Sequence, residues 1–273
     1  PRSHQTNRDT MAPLQSALVL LLAATTAVQA KPASKIAGGV PSGEHEFPYQ
    51  ISLQLDGRHF CGGSLISDRF VLTAGHCTGA LLSGLTVEAV AGEHDFAAPS
   101  EQAQRRVVDE FWIHEDYVVG MVAPNDVAVL RVDRPYELNE FVGLVQLPGK
   151  NVLHDGTCVI SGWGSVSFNA YPIYPDVLQK AYLPIMDQEE CVAIWAGGPV
   201  ADSNVCAGTA EGGTGVCSGD SGGPLVLEGP EHKEQVGIVS WGGVPCGGPN
   251  NPGVFVRVSY FIDWIEDKLA RKD

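Results

Sequence analysis

The sequence is poor in charge, and poorest in positive charge. Only 18% of its 273 residues are charged, and 17 Lys and Arg stand against 32 Asp and Glu, for a formal net charge of −15. A surface this acidic repels nucleic acid and anionic membranes, so we expect neither as a partner. The same charge helps to keep a monomer in solution, and a monomer is what we expect.

The sequence also lacks an apolar run long enough to span a membrane. Its most apolar stretch, 17–24, follows Met11 and is succeeded by small residues up to Ala30. This pattern predicts a signal peptide over 11–30, and therefore a secreted, extracellular protein. Residues 1–10 precede that start, and we interpret them as an upstream leader outside the folded protein.

Motifs that bind metals are missing as well. The sequence has no His-Glu-x-x-His and no Cys-x-x-Cys pair with zinc spacing, which argues against a metal hydrolase. All seven cysteines follow the predicted signal peptide. In a secreted chain they predict disulfides, and the odd count leaves at least one free thiol. We expect no cofactor and no metal.

From Ile36 onward, short apolar or alternating runs are broken by Gly, Pro, Asn or Asp, which is typical of strands joined by turns. The apolar face of Tyr260–Leu269 predicts one helix at the end of the chain. The pattern alone predicts an all-β barrel or sandwich with a C-terminal helix. Examples of the predicted strands are Gln50–Leu55, Gly63–Ile66, Arg69–Ala74, Val127–Val132, Thr157–Ser161, Pro224–Leu227 and Gln235–Trp241.

One stretch has the pattern of a reactive hydroxyl. Residues 217–224 read Cys-Ser-Gly-Asp-Ser-Gly-Gly-Pro. Acyl transfer needs a nucleophilic hydroxyl on a tight turn whose N–H groups converge on the developing oxyanion, and Gly219 and Gly222 permit such a turn around Ser221. A glycine-rich turn alone is most often only a turn, so the interpretation depends on the other motifs.

Two further motifs complete the set. Residues 73–77, Thr-Ala-Gly-His-Cys, place His76 after a strand-like run. Residues 125–130, Asn-Asp-Val-Ala-Val-Leu, place Asp126 at the start of an apolar strand, where a carboxylate is costly unless it is paired and hydrogen-bonded. Residues 240–242, Ser-Trp-Gly, supply another hydroxyl and a backbone edge.

In the order His, Asp, Ser, these motifs resemble those of the chymotrypsin family of secreted serine endopeptidases. The resemblance extends from Ile36 to about Leu269. It implies an all-β fold of two packed antiparallel six-stranded β-barrels, with the active site between them. The first barrel would cover about 36–143, and the second, with the C-terminal helix, about 144–273.

The resemblance implies a role for each residue of the motifs. Ser221 would be the nucleophile, and His76 the general base and then the general acid. Asp126 would orient His76 and stabilise its charged form, with support from Ser240. The N–H groups of Gly219 and Ser221 would form the oxyanion hole.

The substrate pocket implied by the resemblance carries no charge. Gly215 occupies its base, where trypsin-like members have an aspartate, so a buried Lys or Arg side chain would be unpaired. Val216, Gly242 and Gly253 would form the walls, and the backbone of Trp241 would receive the substrate as an added strand. Burying a large apolar side chain contributes about 1.5–3 kcal/mol, so we expect cleavage after Phe, Tyr, Leu or Met. Because Val216 narrows the base, an elastase-like preference for small aliphatic residues stays open.

The five residues from Lys35 (Lys-Ile-Ala-Gly-Gly) are similar to the activation junction of the family. The similarity implies a propeptide over 31–35 and a mature peptidase over 36–273. A separate trypsin-like protease would cleave after Lys35, because an apolar pocket does not accept lysine. The freed α-amine of Ile36 would pair with Asp220 and complete the oxyanion hole.

The resemblance also implies three disulfides and one free cysteine. Cys158 matches a half-cystine of the family, but Leu227 occupies its usual partner position, so we expect a buried thiol. Residues 92–95 are similar to the calcium loop of trypsins, but the loop is shorter, which argues against a bound ion. The implied bridges are Cys61–Cys77, Cys191–Cys206 and Cys217–Cys246.

The alternative from another class is a non-catalytic homologue that acts as a binding protein. Such proteins usually have a broken triad or a blocked oxyanion turn, whereas this sequence keeps all three residues and the glycines. We therefore expect an active endopeptidase. Its expected partners are protein or peptide substrates, the trypsin-like activator and proteinaceous protease inhibitors.

Overall fold

The computed structural model describes residues 1–3, 38–120, 122–167, 171–229 and 233–271. Pro1–Ser3 form a short exposed stretch without regular structure. The predicted signal peptide, the predicted propeptide and the Lys35–Ile36 junction lie outside the described residues. In the described part of the chain, no helix has the length and apolar character needed to cross a membrane.

Six strands close into the first barrel, in the order β2-β3-β4-β7-β6-β5. Every neighbouring pair is antiparallel. Strands β2, β4 and β5 are almost entirely buried, which fits their aliphatic and β-branched content. The strands are β2 (Gln50–Leu55), β3 (Arg58–Leu65), β4 (Phe70–Thr73), β5 (Glu88–Ala91), β6 (Gln104–Ile113) and β7 (Ala128–Val132).

The second half is a seven-stranded antiparallel sheet, in the order β1-β9-β8-β11-β12-β13-β10. An isolated bridge between Ile185 and Ala207 joins the ends of β9 and β10, so that the last six strands curl into a second barrel. The strands are β1 (Val40–Pro41), β8 (Thr157–Gly162), β9 (Gln179–Pro184), β10 (Asn204–Ala207), β11 (Pro224–Glu228), β12 (Lys233–Trp241) and β13 (Gly253–Arg257). The fold is thus the expected two-barrel fold, with β1 as an additional seventh strand.

Two short elements make contacts beyond their neighbours in sequence. Strand β1 precedes the first barrel in the chain but pairs with β9. Phe261, Ile262 and Ile265, at the C-terminal helix, are buried in a large core cluster that contains residues of both barrels. The proposed division of the chain at about residue 143 stays a prediction.

Within the described ranges, three short α-helices connect or end these strands. They are α1 (Gly79–Leu82), α2 (Gln188–Ile194) and α3 (Ile262–Leu269). Helix α2 begins at Asp187, whose side chain accepts hydrogen bonds from two backbone N–H groups of its first turn. Helix α3 confirms the predicted C-terminal helix, although it begins at Ile262 because 258–260 form a 3₁₀ turn. Each of the seven predicted strands overlaps an observed one.

Buried hydrogen bonds join the two barrels directly. Ser64 Oγ of β3 donates to Gln235 Oε1 of β12 over 2.6 Å, and Ser161 Oγ of β8 donates to Gln50 Oε1 of β2 over 2.6 Å. All four residues are almost completely buried. We call these two hydrogen bonds the inter-barrel seam.

Three disulfides are formed, and they are the three implied by the resemblance. The paired Cα atoms are 6.1 Å apart in Cys61–Cys77, 6.2 Å in Cys191–Cys206 and 5.4 Å in Cys217–Cys246. Cys158 is a free, fully buried cysteine on β8.

Candidate active site

His76 lies in a 3₁₀ turn that directly follows β4. The disulfide of the next residue, Cys77, ties this turn to Cys61 on β3. The ring atom Nδ1 of His76 is 2.8 Å from Asp126 Oδ2, and the backbone N–H of His76 donates to Asp126 Oδ1 over 2.8 Å. Because a carboxylate only accepts, Nδ1 carries the proton and Nε2 of the neutral ring can accept one.

Asp126 is held where β7 begins. Asn125 adopts a positive φ of 64°, a conformation that asparagine tolerates better than most residues, and this turn precedes the strand. Asp126 is only 3% exposed, and Ser240 Oγ donates to its Oδ2 over 2.6 Å. The buried carboxylate is therefore surrounded by hydrogen-bond donors, which is the condition for keeping it charged.

Ser221 lies in a tight turn of the second barrel that touches the first. The backbone N–H of Gly62 on β3 donates to Ser221 O over 2.7 Å. Gly222 has a φ of +77°, and a Cβ atom there would lie 2.2 Å from Thr73 Oγ1. Since Thr73 immediately precedes the Ala74–His76 segment, this close approach brings the serine turn against the chain that carries His76.

Gly219 is oriented by a residue that the sequence analysis missed. His59 Nε2 lies 2.9 Å from the carbonyl oxygen of Gly219, and His59 Nδ1 lies 2.9 Å from Ser52 Oγ. Since a carbonyl only accepts, Nε2 carries the proton and the serine hydroxyl donates to Nδ1. Burial lowers the pKa of His59 to about 4, against the opposing effect of its hydrogen bond to Gly219. His59 is therefore a neutral donor at physiological pH.

Asp220 points away from the cleft into the second barrel. It is 2% exposed, and its two oxygens accept the backbone N–H groups of Gly164 and Cys217, each over 2.9 Å. Burial raises the pKa of this carboxyl to about 7, although both backbone hydrogen bonds act in the opposite direction. Among the residues that the structure describes, no basic side chain forms an ion pair with Asp220.

A cleft of about 180 Å³ opens beside Ser221. It is walled on one side by Val216, Cys217 and Ser218 and on the other by the segment from Val239 to Val244. None of the described lining residues is charged.

Two of the predicted pocket residues are not among those that border this cleft. Gly215 lies against the backbone of Gly247, since a Cβ there would meet its Cα and N atoms at 2.9 Å. A Cβ on Gly253 would lie 3.1 Å from a methyl group of Val216, which does border the cleft. Their assignment to the substrate pocket stays a prediction. Val216, Ser240, Trp241 and Gly242 do line the cleft.

Trp195 packs against Trp241, a residue that lines the cleft. No motif in the sequence indicates this role. The Trp195 ring packs edge-on against Trp241, with ring centroids 4.8 Å apart. Trp195 directly follows α2, which the Cys191–Cys206 disulfide ties to β10. The position of the Trp241 ring thus depends on a second, disulfide-anchored aromatic residue.

Two places in the described residues bear on a cation site. Cys61, His76 and Cys77 lie close together, but both cysteines are oxidised in a disulfide and offer no thiolate. In the loop compared with the calcium loop, Glu93 Oε1 accepts the backbone N–H groups of His94 and Ser100, whereas its buried Oε2 has no hydrogen-bond partner among the described residues.

Two antiparallel barrels, with a His–Asp pair and a glycine-flanked serine at their junction, define the class of the serine endopeptidases. Comparison with known proteins gives the family. The family model described as Trypsin matches residues 36–265. Serine protease 1 of Rattus norvegicus is 37% identical over 253 residues, which cover 93% of this chain and 97% of that protein.

Further relatives agree. Trypsin-1 of Astacus astacus is 36% identical over 85% of this chain and 98% of its own length. Anionic trypsin of Canis lupus familiaris is 35% identical over 93% of this chain and 97% of its own length. The chain therefore belongs to the trypsin family and is a serine endopeptidase that acts on proteins.

Proposed function

We propose that this chain is a secreted zymogen of an endopeptidase that cleaves after large apolar residues through an acyl-enzyme. The observation that carries the proposal is the uncharged cleft beside Ser221. The roles of the individual residues, the specificity, the activation and the secretion are each part of the proposal.

In the proposed mechanism, Ser221 Oγ attacks the scissile carbonyl while His76 Nε2 takes its proton. His76 then gives that proton to the leaving amine, and a water molecule repeats the sequence to release the acid. Asp126 holds the imidazole with Nδ1 protonated and stabilises the imidazolium, which is supported by the 2.8 Å separation of Nδ1 and Oδ2. Ser240 holds the carboxylate in place through its 2.6 Å hydrogen bond.

The oxyanion hole is assigned to the N–H groups of Gly219 and Ser221. Gly219 adopts a φ of +95°, which favours glycine, and its carbonyl is held by His59. The held carbonyl belongs to the peptide group between Gly219 and Asp220, so His59 supports the turn that carries the proposed donors. Such preorganised donors are typically worth ~100–1000-fold in rate each.

The specificity follows from the size and polarity of the cleft. A cavity of ~150 Å³ with an apolar lining can hold a benzene ring, and this cleft has about 180 Å³. A Lys or Arg side chain would find no described acidic partner among the lining residues, and an unpaired buried cation is strongly unfavourable. A Phe or Leu side chain instead gains about 1.5–3 kcal/mol from burial.

One observation favours the elastase-like alternative. A methyl group of Val216 lies 3.5 Å from the place where a Cβ on Gly242 would be. The two opposite walls of the cleft are therefore close together at these residues. If the cleft ends there, small aliphatic residues fit better than aromatic ones.

Activation is proposed to occur by cleavage after Lys35. The freed amine of Ile36 would pair with Asp220 and order the turn from Gly219 to Ser221. The proposal is supported by Asp220 itself, since its buried carboxyl has a raised pKa and no described cation partner. The uncharged cleft would not accept Lys35, so the activator is a separate trypsin-like protease.

Secretion is supported by the three disulfides, which persist in oxidising compartments. Residues 11–30 would be removed as the signal peptide and 31–35 as the propeptide. Proteinaceous inhibitors that occupy the cleft are further proposed partners.

The proposal is tested by one set of assays on trypsin-cut protein. We expect Ser221→Ala to fold and to have no turnover of peptide esters or amides above background. We expect a peptide library varied at the residue before the cleaved bond to show cleavage after Phe, Tyr, Leu and Met. Retained turnover in the variant would refute the mechanism and favour neither specificity. An inactive wild type would favour the alternative of a non-catalytic homologue. Cleavage after Ala or Val would favour the elastase-like alternative.

A further inference from the structure

We propose that the open end of the second barrel, away from the cleft, is a binding site for the C-terminus of a peptide. Arg257 binds the terminal carboxylate, and the apolar lining around it holds a large apolar last side chain. The choice of ligand rests on the proposed function, because the proposed cleavage creates peptide ends of this kind. The site itself is separate from the cleft beside Ser221.

The site is a cavity of about 630 Å³, against about 180 Å³ for the cleft beside Ser221. It is lined by Val236 of β12 and by Arg257, the last residue of β13, whereas the cleft is lined from Val239 onward. Val236 and Val239 are about 10 Å apart along the strand. No described residue lines both cavities. Barrel mouths with volumes of this order are common places for ligand sites.

The inner part of the cavity is apolar. Val236 belongs to the core of the second barrel, and Ile185 and Val205 pack against that core. Leu153 lies at the same cavity and is 75% exposed, so it has apolar surface that a ligand can cover. The lining therefore suits an apolar side chain.

Arg257 brings a positive charge into this lining. It lies two residues after Phe255 of the barrel core, so its side chain starts on the same inner face of β13. Its Nε atom is buried without a hydrogen-bond partner, and among the described residues Arg257 forms no ion pair. Its Cζ atom is 5.3 Å from the ring centroid of Tyr260. His154, which also lines the cavity, is engaged by Glu234, with 2.5 Å between Nε2 and Oε1.

The chemistry of Arg257 points to a carboxylate ligand. A buried donor without an acceptor is unfavourable, so a ligand that supplies the acceptor is stabilised. A guanidinium presents its N–H groups as a planar fork, which a carboxylate matches with two parallel hydrogen bonds. The terminal carboxylate of a peptide can make this contact while its last side chain occupies the apolar lining.

Three exposed aspartates lie at the same cavity, Asp155, Asp187 and Asp202. Asp187 is already engaged, because its side chain accepts two backbone N–H groups at the start of α2. Together the three carboxylates repel ligands that carry more than one negative charge. The ligand favoured here therefore has a single carboxylate, at the end of the chain and beside an apolar side chain.

The proposed reaction supplies such ends. Hydrolysis of the acyl-enzyme releases a peptide that ends in the residue held by the cleft and carries a new carboxylate. If cleavage follows Phe, Tyr, Leu or Met, each released end combines a carboxylate with a large apolar side chain. A partly digested protein can then stay attached through one end while the cleft acts on another segment.

The experiment is an NMR titration of Ser221→Ala protein, in which the peptides are not cleaved. The probes are N-acetyl-Ala-Phe, its C-terminal amide and N-acetyl-Ala-Glu. We expect N-acetyl-Ala-Phe to shift the backbone amide signals of Val205, Val236 and Arg257 in a saturable way. The amide should bind there ~10–150-fold more weakly, because it lacks the charge-assisted hydrogen bonds. N-acetyl-Ala-Glu should bind more weakly as well, because of the aspartates.

Two variants and a control locate the contact. Arg257→Gln should lower the affinity for N-acetyl-Ala-Phe to that of the amide and leave the affinity for the amide unchanged. Val205→Phe keeps Arg257 but fills the cavity, so it should weaken both probes and tests the site even if Arg257→Gln folds poorly. The matched control is Arg134→Gln, which removes the same charge from an exposed arginine beyond β7 and should bind like the parent.

The remaining outcomes would overturn the site. They are equal affinity for the acid and the amide, unchanged affinity in Arg257→Gln, or signal shifts confined to residues that line the cleft beside Ser221. Tighter binding of N-acetyl-Ala-Lys amide at the cavity would make the aspartates the recognising groups and would also overturn it. Turnover by Ser221→Ala would instead overturn the proposed function, and it would leave the comparison of Arg257→Gln with Arg134→Gln valid.

Discussion

Leu227 lies directly opposite Cys158 in the antiparallel pairing of β11 with β8. Paired residues of antiparallel strands have Cα atoms about 4.5–5.5 Å apart, a spacing that a disulfide can bridge. Burial raises the pKa of the Cys158 thiol to about 12. The folded protein should therefore hold this thiol protonated, enclosed and unreactive.

The first prediction concerns this pair. Leu227→Cys should form a fourth disulfide on oxidative refolding and raise the free energy of unfolding by up to ~4 kcal/mol, because it closes a long loop of the unfolded chain. Denaturant unfolding and counting of alkylated thiols measure the two effects. Wild type should show one labelled cysteine after denaturation and none before. Leu227→Ser is the control and should be destabilised without a bridge; a wild-type disulfide at Cys158 would contradict the prediction.

The second prediction concerns His59, which donates to the carbonyl of Gly219. His59→Leu leaves that acceptor without its donor, at a cost of about 1–3 kcal/mol. If this cost raises the activation free energy through a misplaced oxyanion hole, kcat falls ~5–150-fold while KM changes little. Steady-state kinetics with an ester substrate test this. His59→Gln retains a donor and should recover part of the rate; equal losses in both variants would speak against the role of the hydrogen bond.

The third prediction concerns the two walls of the cleft. Val216→Gly should widen it and raise kcat/KM for Phe relative to Ala by about tenfold or more, since one buried methylene group is worth ~1–3 kcal/mol. Gly242→Val should have the opposite effect, because the position faces open space apart from Val216. Peptides that differ only in the residue before the cleaved bond provide the measurement. Efficient cleavage after Phe by Gly242→Val would show that substrate side chains bind elsewhere.

The fourth prediction concerns Asp220 and pH. In the uncut chain its carboxyl has a pKa of about 7, above the usual unfolded value of about 3.9. At pH values between these two pKa values, Asp220 therefore binds more protons in the folded chain than in the unfolded chain. The contribution of this carboxyl to the free energy of unfolding is fully present below the unfolded pKa and is lost as pH rises through the folded pKa. The loss is ~4 kcal/mol.

The measurement is urea unfolding at pH 5 and pH 8, with Ser221→Ala present throughout to prevent self-digestion. Asp220→Asn should remove the extra loss of stability at pH 8. Cleavage after Lys35 should remove it as well, because the Ile36 ammonium group would pair with the carboxylate and lower its pKa. Lys35→Gln treated with trypsin is the control and should behave like the uncut chain. A cut enzyme with the same pH dependence as the precursor would refute the pairing.

The parts of the molecule that could be predicted from sequence are those with local signals. Buried aliphatic strands such as Val127–Val132 stand out by composition. The three catalytic motifs combine residue types that the proposed chemistry requires within a few positions of one another. Strand β6 has a weaker local signal, because charged residues such as Arg105 and Asp109 interrupt its apolar pattern, while its pairing with β5 and β7 maintains it as a strand.

The residues that were missed act through partners remote in sequence. His59 lies 160 positions from Gly219, and only the packing of one barrel on the other brings them together. Trp195 likewise lies in a segment without a motif. The surroundings of Gly215 are equally remote in sequence, because a Cβ there would meet the backbone of Gly247 at 2.9 Å.

The inter-barrel seam has a consequence for how such a molecule can be controlled. Rotating one barrel against the other would break both hydrogen bonds of the seam and leave buried polar groups of Ser64, Gln235, Ser161 and Gln50 without partners. Each unsatisfied group costs about 1–3 kcal/mol. A rotation of one barrel against the other is therefore a costly way to switch the activity on and off. The proposed pairing of Ile36 with Asp220 and the binding of other proteins over the cleft control the activity without such a rotation, so an inhibitor binds to a cleft whose shape does not change.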